Sequence, residues 1–324
     1  MPADAAPVTD AAAGGRWIRY RTPAATGRPS IAKRMGFGLS SSPTHYLFVL
    51  PALAVYAVFV LYPLVQTIGL SFTDWDGLSK TRDGVGTENY REAIADGRLR
   101  SALRNNLTWV VGSWLPQAFG LGLAALLSAS WIAGRTAFRT VFFLPATLAL
   151  VVVGVMWSAI YNPLWGGLNA ALEAVGLDSL TRAWLGDRTW ALPAVINAAN
   201  WTYFGFAMVI FLAGLQSIDR SLYEAAAIDG AGAWRQFLHV TVPGLRNQIN
   251  LLLVISFINT LRQFDLVFIM TGGGPGNASD LIGVYIYDLI QVRRQVGYGS
   301  AVAVLLTITV LIASVLFLKV REER

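Results

Sequence analysis

The chain has 324 residues, 55% of them hydrophobic and only 14% charged, with a mean hydropathy of +0.51 and a formal net charge of +6. That balance argues against a pair of soluble domains and for a chain with several membrane spans, in which the 11 Trp suit interfacial anchoring. With no Cys there are no disulfides, thiolate metal sites or thiol nucleophiles, the 2 His (His45 and His239) cannot make a His-rich metal centre, and the basic excess lies largely beside apolar runs, so nucleic acid is not needed to explain it.

Residues 1–44 are rich in Ala, Gly, Pro and Ser and carry Arg16, Arg19, Arg21, Arg28, Lys33 and Arg34, which predicts a disordered tail. The first apolar run starts too late and runs too long to be the core of a cleaved signal peptide. Apolar segments follow at about 46–71, 106–130, 140–160, 190–215, 248–270 and 300–319, each long enough for a helix rising about 1.5 Å per residue to cross about 30 Å of hydrocarbon. The fold class expected is an all-α membrane protein with six transmembrane helices over 45–320, and a short tail at 321–324. Pro51, Pro63, Pro116, Pro145 and Pro193 are expected to kink their helices. An even number of spans puts both termini on one side, and the Lys and Arg balance weakly favours the cytoplasm for the termini and for the polar segment 219–244.

Between the first two spans, Tyr90, Ile94, Leu99 and Leu103 are spaced to form the apolar side of a surface helix. Such a helix serves equally as a solvated linker or as a contact for another protein.

The segment 219–244 is more patterned than a connector requires. Ser221 and Glu224 have capping-box spacing, so a helix is expected to start near Ser221 and propagate through Ala225, Ala226 and Ala227. Gly230 and Gly232 are placed to stop it. Ala233, Trp234, Phe237 and Leu238 give a second short helix one apolar face, and Pro243 is expected to close that helix. Pattern alone leaves a connector and a docking element equally open.

In the fifth span Ser256, Asn259, Thr260 and Gln263 fall at i, i+3, i+4 and i+7, one polar stripe on an apolar helix. Polar groups at membrane depth need partners, so the stripe faces protein or water, either as interhelical hydrogen bonds or as a pathway lining. Polarity in the fourth span picks Asn197, Asn200 and Trp201. Arg262 and Asp265 stand i, i+3 inside the fifth span and are expected to form an intramembrane ion pair. No G-x-x-x-x-G-K-[ST] is present, and Gly272 to Gly276 reads as a turn rather than a phosphate cradle.

Glu224-Ala225-Ala226, then Gly230, then Val240-Thr241-Val242-Pro243 resembles the EAA loop of ABC-importer permeases, with Val240 for the usual Ile and Val242 for the usual Leu. The carbohydrate-import branch is matched further by Gly86-Thr87-Glu88-Asn89-Tyr90, Trp157, Gly167-Leu168-Asn169, Trp184-Leu185, Asn200-Trp201, Leu212 to Gln216 and Thr271 to Pro275. The resemblance covers about residues 45–320. Asp219 and Gly205 depart from it, each standing where Pro is frequent, and Asp219 is itself a good helix-start residue.

The resemblance implies a type I ABC importer permease fold in the bacterial inner membrane, with cytoplasmic N- and C-termini. It implies three kinds of partner besides membrane lipid: a second homologous permease subunit, two ABC ATPase subunits and an extracytoplasmic substrate-binding protein. The chain itself would be no enzyme and bind no cofactor, with ATP and Mg on the ATPase. Glu224, Ala225, Ala226, Asp229, Gly230, Trp234 and Phe237 would form the coupling element that docks in the ATPase. Counting from the EAA loop puts the substrate pathway at Tyr203, Phe206, Ser256, Asn259, Thr260 and Gln263, which agrees with the stripe in span five and differs from polarity in span four. A sugar is the expected solute. Glycerol phosphate, a solute of another ABC branch, and gradient-driven secondary transport are the alternatives.

Overall fold

A computed structural model describes residues 44–128 and 132–322, so the predicted tail up to residue 43 lies outside the described residues. Among the described residues there is no strand beyond one isolated bridge between Thr73 and Gly84. They fall into two units, the first ending at Ala57 and the second starting at Val58.

The first unit is helix α1 (Thr44–Tyr56), which contains Pro51. A π turn over Ala57–Leu61 precedes α2 (Tyr62–Leu70), with Pro63 in its first turn. A proline ring clashes with the carbonyl four residues back in a regular α-helix, and the wider π turn relieves that clash.

In the second unit α3 (Glu88–Ala95) and α4 (Gly97–Gly112) are separated by Asp96. Its Oδ1 accepts the backbone N–H groups of Arg98 at 2.7 Å and Leu99 at 3.3 Å, an N-cap that starts α4 well before the expected edge at residue 106. That cap also resets the helical phase. The expected apolar side through Tyr90, Ile94, Leu99 and Leu103 is therefore not one face: Ala93 and Ala102 are buried, while Ile94 is 76% exposed. With α5 (Leu115–Ser128), α4 makes an apolar span of 32 residues.

The expected third span is broken. The helix α6 (Arg135–Phe143) runs into a 3-10 turn at Leu144–Thr147 holding Pro145, Leu148 and Ala149 are extended, and α7 (Leu150–Ile160) leaves at 99°. After α8 (Gly167–Ala174) comes the central helix α9 (Ala191–Leu215). Its N-terminal half packs with Trp109, Val153, Leu266 and Leu281, and its C-terminal half with Ala124, Leu127, Leu245 and Leu252. Gly205 lets α9 approach α6, because a Cβ there would lie 1.9 Å from the Phe142 carbonyl oxygen.

Two short helices, α10 (Arg220–Ile228) and α11 (Ala233–Gln236), are followed by a π turn at Phe237–Thr241 and α12 (Val242–Gly244). Pro243 therefore does not close the second helix as expected. It rides in the helical run behind a π turn, the arrangement already seen at Pro63. The expected fifth span is divided at Arg262 to Phe264 into α13 (Arg246–Leu261) and α14 (Asp265–Met270). The chain ends with α15 (Ile282–Tyr287) and α16 (Val296–Glu322). Of the six expected spans, three described helices are long and apolar enough singly: Phe48–Leu70, Gly97–Ser128 and Ala191–Leu215. The bent pair α6 and α7 makes a fourth.

A polar clamp that pattern reading did not foresee joins α4 to α15 and α16. Arg98 Nε donates to the fully buried Asp280 at 2.7 Å, its Nη1 donates to Asp288, and Asp288 also takes Arg293 at 2.8 Å. Tyr285 and Tyr298 both donate to Asp96, Tyr298 at 2.8 Å. Burial works against the charge on Asp96, but these phenol donors and the cap amides outweigh it and hold its carboxyl below the usual range.

Candidate functional site

A cavity of about 260 Å³ opens between α4, α5, α9 and α13. Tyr203, Phe206, Ser256, Asn259, Thr260 and Gln263 all line it. The helix break leaves Gln263 just past the end of α13, yet it still faces the chamber with its Nε2 buried and unpartnered. Asn200 also lines the chamber and donates to the Gly112 carbonyl at 3.1 Å, anchoring α9 to α4. Asn197 and Trp201 do not line it. They border a separate groove with Trp157, where Asn197 donates to the Tyr161 hydroxyl at 3.0 Å. In span four, polarity and the family count thus each found part of the lining.

The contribution of span two was missed. Trp109, Ser113 and Gln117 complete the wall. Gln117 Nε2 donates to Ser256 Oγ, and its buried Oε1 has no partner. A lone glutamine in a long apolar run was a readable signal for this wall. The chamber therefore offers an unmet acceptor on Gln117 and an unmet donor on Gln263, beside the faces of Trp109, Tyr203 and Phe206. No Asp, Glu, Lys, Arg or His lines it.

Arg262 and Asp265 are not joined as expected. The helix stops between them, both are exposed, and among the described residues no ion pair links them. Arg262 instead caps the C-terminus of α13 and Asp265 opens α14, each placed favourably for its own helix dipole.

The segment after α9 starts at Asp219 rather than Ser221. Asp219 Oδ1 accepts the Ser221 backbone N–H at 2.9 Å, and that bond holds its carboxyl below the usual range. Glu224 accordingly turns to Arg220 at 3.4 Å on the exposed face instead of closing a capping box. Gly230 ends α10 at φ +76°, donating to the Ala227 carbonyl at 3.1 Å while Ala231 donates to Ala226 at 2.9 Å, the paired bonds of a Schellman stop. Asp229 is the C-cap and donates to Ala225. The hydroxyls of Tyr223 and Thr241, 2.9 Å apart, tie α10 to the π turn. Trp234 stacks on Phe237 with centroids 5.6 Å apart yet remains 70% exposed, beside Ile228 at 88%. Among the described residues no cluster of His, Cys, Asp or Glu is placed to hold a metal.

Residues 118–322, which hold α9, the capped segment and most of the chamber wall, match the family of binding-protein-dependent transport system inner membrane components. The chain belongs to this family. It is 38% identical over 276 residues to the probable ABC transporter permease protein YurN of Bacillus subtilis, covering 85% of this chain and 94% of that one. The multiple sugar-binding transport system permease protein MsmF of Streptococcus mutans is 33% identical, with 86% and 95% covered. The lactose transport system permease protein LacF of Rhizobium radiobacter is 34% identical, with 86% and 94% covered. The fold is that of a bacterial ABC transporter involved in the import of alginate, with a TM-score of 0.74 at 24% identity over 86% of this chain and 95% of that one. The permease is thus a multi-pass inner-membrane transport component and not an enzyme.

Proposed function

We propose that the permease forms half of the translocation pathway of an ATP-driven carbohydrate importer and couples to a separate ATPase through residues 219–244. The observation that carries this reading is the chamber. Amide and hydroxyl groups with unmet hydrogen-bonding capacity sit beside aromatic faces, the combination that holds sugar hydroxyls and the apolar C–H patches of a sugar ring. The similarity to MsmF and LacF supports the same class. A charged solute such as glycerol phosphate is the weaker reading, because this half of the chamber offers no basic side chain.

Coupling is supported by a capped two-helix unit just past the C-terminal end of α9 that leaves Ile228 and Trp234 exposed. The full importer would comprise this permease, a second homologous one, two ATPases that carry ATP and Mg, and an extracytoplasmic binding protein. Closure of the ATPases would move α10 and α11 and rock the helices around the chamber between inward- and outward-facing states.

Co-purification of the tagged permease in mild detergent, with mass spectrometry of its companions, tests this. Recovery of a P-loop ATPase, a second EAA-loop permease and a binding protein is the expected result. Recovery of the chain alone, active in uptake driven by an ion gradient, would overturn it in favour of a secondary transporter.

A further inference from the structure

A second cavity, of about 340 Å³, lies above the chamber along the same seam of helices. On α4 it is lined by Asn105, and the next turns of that face, Trp109 and Ser113, line the chamber. On α9 it is lined by Leu192, followed along one face by Ala199, Tyr203 and Phe206 in the chamber. The two cavities are therefore stacked. The helix α9 is 25 residues long, about 37 Å at 1.5 Å per residue, so this upper cavity sits at the end of α9 opposite the capped segment 219–244.

Its chemistry differs from that of the chamber. Arg104 and Arg188 both line it, with Ser101, Thr189 and Thr108, whose hydroxyl donates to the Arg104 carbonyl at 3.0 Å. Neither guanidinium has a carboxylate partner among the described residues: the ion pairs belong to Arg98, Arg220 and Arg293. The nearest acid in sequence, Asp187, is taken by the backbone N–H groups of Thr189 at 2.7 Å and Trp190 at 3.2 Å. The walls are held in place. Arg188 Nη2 donates to the Gly276 carbonyl at 3.3 Å, and Asn105 binds the carbonyls of Ala278 at 3.1 Å and Asp280 at 2.9 Å, fixing the loop after α14 against α4.

We infer that this cavity is a socket for a carboxylate side chain presented by the extracytoplasmic binding protein, so that Arg104 and Arg188 dock that partner over the mouth of the pathway. The inference rests on the importer reading above. Two guanidinium groups without a carboxylate partner among the described residues, Arg104 unbonded and Arg188 held by one backbone carbonyl, match a carboxylate in charge and in donor geometry. The occupant is a docked partner rather than the solute, because an anionic solute that found its counter-charge here would lose it one turn deeper, in a chamber without any base.

The test uses the complete importer in nanodiscs, with ATPase rate read against binding-protein concentration at low and high salt. In Arg104→Gln/Arg188→Gln the half-saturating concentration is expected to rise about tenfold or more, with the maximal stimulated rate kept. Its salt dependence is expected to flatten, since the screened charges are gone. Should the double variant not assemble, Arg104→Gln alone carries the test, because that exposed side chain makes no hydrogen bond or ion pair with the rest of the described chain. Unchanged half-saturation overturns the inference, as does a change in solute selectivity at constant binding-protein affinity, or loss of the second permease from the purified complex. A wild-type importer that no binding protein stimulates would instead fail the importer reading itself.

Discussion

Gln117 stands out in the sequence as a glutamine in a long apolar run, and it is the side chain in the chamber with the clearest assignable task. Its amide is committed to Ser256 on one side and unmet on the other. Replacing it by Leu removes a hydrogen bond to solute worth about 1 kcal/mol, a roughly fivefold rise in the apparent KM for uptake. The pair Asn259→Leu and Gln263→Leu is expected to lose more, with subunit assembly intact by co-purification. Normal uptake in both variants would return the stripe to a packing role. Gly205 gives a different kind of residue-scale expectation. A methyl group there meets the Phe142 carbonyl oxygen at 1.9 Å, so Gly205→Ala should lower the thermal midpoint of the detergent-solubilised permease by an overpacking penalty of about 1–3 kcal/mol.

At the scale of elements, the capped segment is a two-helix unit held by its glycine stop and its caps. Gly230 holds a left-handed conformation that costs other residues about 1–2 kcal/mol, so Gly230→Val should splay α10 from α11 and uncouple ATP hydrolysis from uptake. Glu224 is 67% exposed on its side chain, and among the described residues its one ion pair is with Arg220, so the proposed coupling role predicts that its carboxylate meets a basic residue of the ATPase. Glu224→Lys is expected to abolish co-purification of the ATPase while membrane insertion stays normal. Retained uptake in that variant would remove the coupling role. These two helices were legible because local rules govern them: glycine stops and apolar spacing work over a few residues. Their start was misplaced by two positions because Asp219 outcompetes Ser221 for the cap, and a sequence offering two capping residues one residue apart does not say which one wins. The breaks in spans three and five were not legible for a related reason. Apolar runs report length, and the extended residues at 148 and 149 and the gap at 262–264 depend on what packs around them.

At the scale of the molecule, the long-range clamp around Arg98 joins residues more than 180 positions apart, which no periodicity could reveal. Asp280 is fully buried and Arg98 nearly so, with side-chain exposures of 0% and 16%. Arg98→Gln strands that carboxylate, and should cost ~3 kcal/mol or more, read as a lower thermal midpoint. Arg98→Gln combined with Asp280→Asn should recover part of the loss, because the stranded charge is gone; equal midpoints for the single and double variants would assign the clamp no pairing energy. The chamber itself was half legible. The spacing of the fifth span survived its break, since Gln263 still reaches the cavity, whereas the wall from span two depends on which face of α4 turns inward.

The neutral lining of that chamber has an electrical consequence. Moving a unit charge through a membrane potential changes its energy by about 2.3 kcal/mol per 100 mV. A lining without acid or base carries no gating charge of its own, and an uncharged solute adds none. Passage of an uncharged solute past this lining is therefore expected to be insensitive to the membrane potential. In proteoliposomes clamped by potassium and valinomycin, the ATP-driven uptake rate should stay level as the voltage is stepped from negative to positive.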